Sequence, residues 1–169
     1  MIIHCTRKLA ARLPGVSPAP LEETSVLGSW YAHLLHIDRR QCVFFCHDDS
    51  RAVLFAPGLR KADLQQLGRE LFPRLLLDVL QAMGCEAGLL ARVRLAIGPV
   101  RFDTATDRSV QASMNIARQD LEAQIYRTRN VLDLDPVAVS CQTNHRPARV
   151  RGKLVWPDRA LLESVSALK

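Results

Sequence analysis

Three apolar runs within residues 28–58 constrain the fold more than any other feature of the sequence. The runs are rich in aromatic and β-branched residues, as strands usually are, and they cover residues 30–37, 42–46 and 52–56. They are separated by Asp38-Arg39-Arg40 and Asp48-Asp49-Ser50. These breaks are too short for a parallel connection, because a parallel crossover needs about a dozen residues. The sequence therefore predicts a three-stranded antiparallel meander.

Neither face of the predicted meander is cleanly polar. His33 and Leu35 share one face with Tyr31, whereas Trp30 belongs to the other. This mixture indicates that other elements cover both faces of the sheet. We therefore predict an α+β fold with a single domain over residues 1–169. A mainly antiparallel sheet is built on the meander, and two long helices and several shorter ones pack against it.

Helical periodicity predicts the two long helices at residues 63–83 and 107–127. Pro73 lies inside the first and is expected to kink or divide it, because proline removes a backbone donor and clashes with the preceding turn. Shorter helices are predicted at residues 7–13, with Thr6 as the N-cap, and from Pro157 onward. Residues 86–97 are ambiguous, because residues 92–95 also fit an alternating strand, and we favour a short helix. Further strands are predicted at residues 1–5, 100–104 and 137–141, and residues 154–156 are expected to be strand or loop.

The net charge of +6 is concentrated in two short basic segments. Residues 1–13 contain three cations and no acid, and residues 144–153 contain four cations and no acid. The candidate binding residues of these segments are Arg7, Lys8, Arg12, His145, Arg146, Arg149, Arg151 and Lys153. A compact fold that brought the segments together would create one cationic surface for a phosphate backbone. The alternative that both are solvated basic loops stays open.

Arg108 is a further candidate for anion binding, because it follows Asp107 at the predicted start of a long helix. Free backbone N–H groups at a helix N-terminus favour an anion, and an arginine there adds to the attraction. The structural alternative is a capping aspartate followed by a solvated arginine.

Several chemistries leave no signature in the sequence. Phosphate-binding glycine loops, a nucleophile elbow and a zinc-finger spacing are all missing, so no cofactor and no metal site is predicted. The five cysteines are scattered and odd in number, which favours reduced thiols in the cytoplasm. No apolar run approaches the roughly 20 residues that span a bilayer, so no membrane association is expected.

Three segments together resemble a family of small bacterial proteins known as a domain of unknown function. They are Ile3-His4-Cys5-Thr6-Arg7-Lys8-Leu9, Leu27-Gly28-Ser29-Trp30 leading into Asp38-Arg39-Arg40, and Asp107-Arg108-Ser109-Val110 followed by Ser113-Met114-Asn115. The chain departs from the family pattern at Asp107, where asparagine is usual, and at Ala112, where glycine is usual. The resemblance implies a bacterial single-domain protein and brings no activity or catalytic residue with it.

The leading functional hypothesis is a small cytoplasmic protein that acts by binding a nucleic acid or a protein partner through its basic segments. The alternative is a small metal-independent nuclease or toxin-like enzyme. In that case His145 or His33 is the general base, and arginines stabilise the charge on phosphate. A third hypothesis is a subunit with a purely structural role, and the oligomeric state is left open.

Overall fold

The computed structural model describes residues 1–128 and 130–168, and these residues form an α+β fold around a five-stranded sheet. The strands of the sheet are β1 (Ile2–Cys5), β2 (Trp30–Ile37), β3 (Arg40–His47), β4 (Val53–Leu59) and β5 (Arg101–Asp103). A separate hairpin pairs β6 (Ala148–Val150) with β7 (Lys153–Val155). The α-helices are α1 (Arg7–Ala10), α2 (Lys61–Gln65), α3 (Phe72–Ala82), α4 (Ala87–Ile97), α5 (Arg108–Arg127), α6 (Pro136–Asn144) and α7 (Pro157–Ser166).

The predicted meander is confirmed, because β2, β3 and β4 pair antiparallel in chain order. Asp38 and Arg39 form the turn between β2 and β3, and their φ angles are 48° and 61°. Two consecutive positive φ angles characterise a type I′ turn, whose twist matches that of the strands it joins. The Asp38 carboxylate also accepts a hydrogen bond from the Val131 N–H at 2.9 Å. This bond ties the turn to the segment that follows α5.

The sheet belongs to an α+β fold as predicted but is mixed, because parallel strands are added to the antiparallel meander. Its strand order is β4-β3-β2-β1-β5, and β1 pairs parallel with both β2 and β5. Residues 6–29 connect β1 to β2, and helices separate β4 from β5. Both connections are long enough for a parallel crossover, whereas the short breaks of the meander are not.

Apolar clusters cover both faces of the sheet, as the mixed pattern of the strands predicts. One face carries Trp30 and Phe45 and packs against α3 residues such as Phe72. The other carries Phe44 and Phe55, and it packs against the stripe Val110, Met114, Ala117 and Leu121 of α5. The two clusters therefore place helices on opposite sides of one sheet.

Pro73 divides the helix predicted at residues 63–83. The segment folds as α2, a π-helical turn over Leu67–Leu71, and α3, with Pro73 in the first turn of α3. Pro73 has no backbone N–H to donate to the preceding turn, and the α-helical pattern is interrupted immediately before α3. The helices predicted at residues 86–97 and 107–127 are confirmed as α4 and α5, and α7 begins at Pro157. Within the described residues, no helix combines the length and apolar character needed to cross a membrane.

Residues 137–141 form part of α6, so the strand predicted there is wrong. Asp135 caps this helix by accepting from the N–H groups of Val137 and Ala138, and Pro136 occupies its first turn. On its buried side, Asn144 both donates to and accepts from the Val53 backbone. Ser140 accepts from the Phe55 N–H at 3.0 Å. Helix α6 thus satisfies backbone groups of the edge strand β4 with side chains, which protects that edge from pairing.

The N-terminal helix is shorter than predicted, since α1 spans Arg7–Ala10 rather than residues 7–13. Thr6 precedes it, but its side chain makes no capping hydrogen bond. The Thr6 hydroxyl is buried and finds no hydrogen-bond partner among the described residues. Thr6 is therefore the N-cap residue as predicted, but it does not cap the helix through its side chain, and its backbone N–H bonds to Ala32.

Candidate functional site

The parallel pairing of β5, β1 and β2 places three polar side chains in a row across the sheet. His4 is opposite Asp103 on one side and opposite Tyr31 on the other. Directly paired residues point to the same face of a sheet, so all three lie on the α5 side. Long-range pairing thus brings together residues that are distant in the sequence.

His4 and Asp103 form a close pair, with His4 Nδ1 lying 2.6 Å from Asp103 Oδ1. The Asp103 side chain is fully buried, and that of His4 is 11% exposed. The carboxylate also accepts from the backbone N–H groups of Leu21 and Ala105 at 2.8 and 3.0 Å. Burial favours the neutral acid, but the bonds from Leu21, His4 and Ala105 outweigh it and lower the pKa of Asp103.

The ionised Asp103 carboxylate fixes the orientation of the His4 ring. A carboxylate can only accept hydrogen bonds, so Nδ1–H of His4 is the donor. Nε2 is then the ring nitrogen left for proton exchange, and it has no hydrogen-bond partner within the described residues. The pair therefore has the arrangement in which a buried carboxylate positions an imidazole for acid–base chemistry.

Tyr31 packs beside His4, with the two ring centroids 4.7 Å apart. Its pKa is raised to about 12, first by burial and then by the nearby carboxylates of Asp48 and Asp107, while Arg51 opposes the increase. The phenol therefore stays protonated at neutral pH and can donate a hydrogen bond.

His33 lies two residues beyond Tyr31 on β2, and therefore on the same face. Given strand spacings of about 4.8 Å between neighbours and 3.3 Å per residue, the Cα atoms of His33 and His4 are roughly 8 Å apart. Burial lowers the pKa of His33, and the positive charges of Arg118 on α5 and Lys8 on α1 lower it further. The His33 imidazole is therefore neutral at physiological pH and has cations close by.

The surface formed by His4, Tyr31 and His33, named here the imidazole surface, is only partly covered. All three residues have intermediate burial. On the same face of the sheet, Phe44 and Phe55 are 2% and 0% exposed because α5 packs over β3 and β4. The covering elements thus leave His4, Tyr31 and His33 less buried than Phe44 and Phe55 on the same face.

One cation of the first basic segment, Lys8, lies near the imidazole surface. Arg7 and Lys8 are exposed on α1, and Arg12 is exposed in the turn that follows. Lys8 is near enough to His33 to influence its pKa. On the α5 side, Arg118 donates to Glu122 at 2.7 Å, so its positive charge is partly offset. Arg108, also exposed, is the first residue of α5 after the cap Asp107, which accepts from the Val110 N–H.

The second basic segment forms the end of α6 and the β6–β7 hairpin, and its cations differ in their pairing. His145 Nδ1 lies 2.7 Å from Asp158, Arg146 lies 2.7 Å from Asp120, and Arg151 lies 3.8 Å from Asp49. Arg149 and Lys153 are exposed and have no ion-pair partner within residues 1–128 and 130–168. Two cations of the segment thus remain available to an anionic ligand.

Helix α5 separates the two basic segments. At 100° per residue, Ser109, Ser113 and Ile116 lie to one side of the buried stripe of α5, and Arg118 lies to the other. The hairpin borders a groove together with Ser109, Ser113 and Ile116, whereas Lys8 and Arg118 act on His33. The basic segments therefore approach α5 from different flanks.

The cysteines lack the character of reactive nucleophiles. All five are free, and Cys5, Cys42 and Cys46 are buried. Burial raises the pKa of Cys5 and Cys46 to about 12, and it also raises the pKa of the other three. Thiolates therefore do not form at neutral pH. Within the described residues, no group of three or more His, Cys, Asp or Glu side chains is arranged to hold a metal ion.

Comparison with known proteins gives a family but no activity. The model of the family described as Domain of unknown function (DUF6933) matches residues 2–160. The chain belongs to this family. No curated protein and no solved structure matches the chain. Two of the segments that carry the resemblance, residues 3–9 and 107–115, contain His4 and Asp107, which both lie close to Tyr31.

The sequence reasoning identified His33 but missed His4 and Asp103. His4 is a single histidine in a short apolar strand, and Asp103 is a single acid at the end of another. Their pairing depends on the parallel register of β1 with β5, which joins residues 99 positions apart. The connections from β1 to β2 and from β4 to β5 are long enough for parallel crossovers. Their length was the sequence feature that could have indicated parallel pairing of β1.

Proposed function

We propose that the chain cleaves RNA by metal-independent acid–base catalysis at the imidazole surface. Two imidazoles on one face of a sheet, with cations beside them, supply the groups that phosphodiester transesterification needs. The proposal keeps His33 as the general base, as the alternative hypothesis from the sequence states. It assigns the role of the second imidazole to His4 instead of placing catalysis at His145.

The proposed reaction uses the 2′-hydroxyl of RNA as the nucleophile. Neutral His33 accepts the 2′-hydroxyl proton as the 2′-oxygen forms a bond to phosphorus. The bond from phosphorus to the 5′-oxygen breaks, and His4 donates its Nε2 proton to that leaving oxygen. The products are a 2′,3′-cyclic phosphate and a 5′-hydroxyl end. Lys8 and Arg118 would stabilise the negative charge that develops on the phosphate oxygens.

The observation that carries the proposal is the pairing of His4 with fully buried Asp103, on the same face as His33. A carboxylate bonded to Nδ1 holds the imidazole in one orientation and stabilises the positive charge of its protonated form. The partly open surface suits a chain-like substrate better than a small molecule, because small-molecule sites usually enclose most of their ligand. The five free cysteines agree with a reducing compartment, and we place the activity in the bacterial cytoplasm, where RNA is present.

The test is cleavage of a 5′-labelled RNA by purified protein in the presence of EDTA. We expect wild type to produce ends with a 2′,3′-cyclic phosphate and to leave the matching DNA intact, since DNA lacks the 2′-hydroxyl. His33→Asn should reduce the rate by about a hundredfold or more, the usual contribution of a general base. His36→Asn is the matched control, because His36 is exposed on the opposite face of the same strand.

Two results would contradict this function. If the wild-type protein leaves RNA uncut at and around neutral pH, the proposed RNA-cleaving function is wrong. Equal losses in His33→Asn and His36→Asn would show that the assignment to the imidazole surface is wrong.

We also propose that the β6–β7 hairpin binds the RNA backbone, in line with the leading hypothesis from the sequence. This rests on Arg149 and Lys153, which are exposed and unpaired within the described residues, and on Trp156, which is 42% exposed and follows β7 directly. Exposed aromatic rings can stack on bases, and cations contact phosphates. Binding of RNA should weaken with salt, and an Arg149→Gln, Lys153→Gln variant should show a smaller salt slope. An unchanged slope would favour a protein partner for this hairpin.

A further inference from the structure

A large cleft lies on the opposite side of the sheet from the imidazole surface. It has a volume of about 710 Å³ and lies between the π-helical turn, the start of α3 and the end of α4. The segment that leads into β5 closes one end of it, through Gly98, Pro99 and Val100. A volume of this size suits a small organic ligand, since such sites usually measure about 300–1,000 Å³.

Three arginines line the cleft: Arg69, Arg74 and Arg94. They come from the π-helical turn, α3 and α4, and all three are exposed. None of them pairs with a carboxylate in the part of the chain that the structure describes. One acid, Glu70, shares the cleft, so its charged lining is cationic. Three guanidinium groups from separate elements match a ligand with several anionic oxygens.

The remaining lining is apolar. Leu77, Ile97 and Val100 contribute to the wall of the cleft, and Leu77 and Ile97 also belong to the sheet-facing core. A ligand that fits both kinds of lining therefore combines a multiply charged anionic group with a less polar body.

The π-helical turn gives the cleft its shape. Gly68 packs so closely on β5 that a Cβ atom at this position would lie 2.8 Å from Phe102 Cζ and 3.0 Å from Val100 Cγ1. The absence of a side chain lets the turn sit directly on the strand, and it places the neighbouring Arg69 at the rim. Single π-helical turns inside α-helices often occur at functional sites, because they reposition side chains at a cost in backbone geometry.

We propose that this cleft binds a nucleoside diphosphate or a closely similar diphosphate ester. The diphosphate contacts Arg69, Arg74 and Arg94, and the nucleoside lies against Leu77, Ile97 and Val100. Glu70 accepts hydrogen bonds from hydroxyl or amino groups of the ligand. The site is separate from the imidazole surface, so it does not depend on the RNA-cleaving function.

Calorimetric titration of the full chain with ADP, and separately with inorganic pyrophosphate, tests the proposal. We expect ADP to bind more tightly than pyrophosphate, because only ADP contacts the apolar wall. Arg69→Gln and Arg94→Gln should each raise the Kd for ADP about tenfold, the usual effect of losing a charged hydrogen bond. Arg92→Gln is the matched control, because Arg92 is exposed on the same helix but borders a different cavity. It should leave the Kd within about twofold.

Three outcomes would overturn the proposal. Wild type that shows no saturable binding of ADP up to millimolar concentration would remove the site. If Arg92→Gln and Arg94→Gln raised the Kd for ADP equally, ADP binding would depend on the general positive charge of the protein and not on this cleft. Pyrophosphate that binds as tightly as ADP would exclude the nucleoside part. Loss of ADP binding with unchanged RNA cleavage in the arginine variants would support two independent sites.

Discussion

Two histidine–aspartate pairs among the described residues have nearly the same distance but different surroundings. His4 Nδ1 lies 2.6 Å from Asp103, and His145 Nδ1 lies 2.7 Å from Asp158. The side chains of His4 and Asp103 are 11% and 0% exposed, whereas those of His145 and Asp158 are 73% and 14% exposed. Both pairs therefore have the same kind of close contact, and they differ in how deeply their side chains are buried.

The groups that hold each carboxylate differ as well. Asp103 accepts hydrogen bonds from the N–H groups of Leu21 and Ala105, which belong to two separate loops. Asp158 accepts one from the N–H of its own neighbour Arg159. A carboxylate fixed by long-range bonds fixes its imidazole, whereas an exposed pair is weak and screened by solvent. The comparison indicates that orientation and neighbours, more than the pair distance, give an imidazole the means to act in catalysis.

The largest expected difference between the pairs concerns RNA cleavage by two matched variants. Asp103→Asn should lower the rate by about a hundredfold, because a neutral amide neither fixes the His4 ring in the same orientation nor stabilises its charged form. Asp158→Asn should leave the rate unchanged. Single-turnover cleavage in EDTA measures both. Equal rates for Asp103→Asn and Asp158→Asn would mean that the buried pair has a structural role alone.

The second difference concerns stability and its dependence on pH. Asp103→Asn should lower the free energy of unfolding at pH 7 by about 1–3 kcal/mol, because bonds to a buried charged group are lost. Asp158→Asn should change it by less than about 0.5 kcal/mol. Urea unfolding followed by circular dichroism gives both values. Similar losses of unfolding free energy in the two variants would show that the buried and the exposed pair contribute equally to stability.

The sign of the pH effect follows from the lowered pKa of Asp103. The folded state binds this proton more weakly than the unfolded chain, where aspartate has a pKa of about 3.9. The stabilisation is therefore complete above that value and is lost as the pH falls through the folded pKa. The gap in stability between wild type and Asp103→Asn should shrink as the pH falls below about 4. A gap that stays constant would show that the carboxylate is not ionised in the fold.

A third prediction uses the cations that lie near His33. Arg118 and Lys8 lower its pKa in addition to the effect of burial, so Arg118→Gln should raise that pKa. Cleavage requires neutral His33 as the base, and the acidic limb of the pH–rate profile should therefore move to higher pH. Arg149→Gln removes a cation on the other flank of α5 and should leave that limb in place. Equal shifts in both variants would show that His33 does not set this limb.

The smallest expected effect is that of His145→Ala. A surface ion pair contributes about 0–1 kcal/mol, so the midpoint of urea unfolding should hardly move, and RNA cleavage should stay within about twofold of wild type. The sequence alone made His145 a candidate base, so this variant separates the two assignments. Loss of RNA cleavage in a His145→Ala variant that still folds would show that His145 is the general base.

The sequence predicted the local part of this architecture. Short polar breaks and apolar runs established the meander, and the stripe that includes Val110 and Leu121 established α5. The error at residues 137–141 has a physical cause, since alternation of valine with small residues is typical of a strand. In α6 the capping Asp135 and the following Pro136 start a helix, and Ser140 and Asn144 bond to the edge of the sheet. Those bonds depend on tertiary contact, which local propensity does not contain.

The candidate site was less predictable than the fold. His33 could be identified, because it lies in a strongly predicted strand. The row from Asp103 through His4 to Tyr31 depends on how β1 is inserted between β5 and β2, and no local pattern specifies that register. The three cleft arginines lie on separate elements, so their proximity likewise becomes visible only in the folded chain.

The proposed mechanism requires that His4, and not His145, takes part in RNA cleavage. The direct measurement is the single-turnover rate of RNA cleavage in EDTA for His4→Asn and His145→Asn, side by side with wild type. We expect a loss of about a hundredfold or more for His4→Asn and an unchanged rate for His145→Asn. A His4→Asn variant that cleaves as fast as wild type would contradict the proposed mechanism.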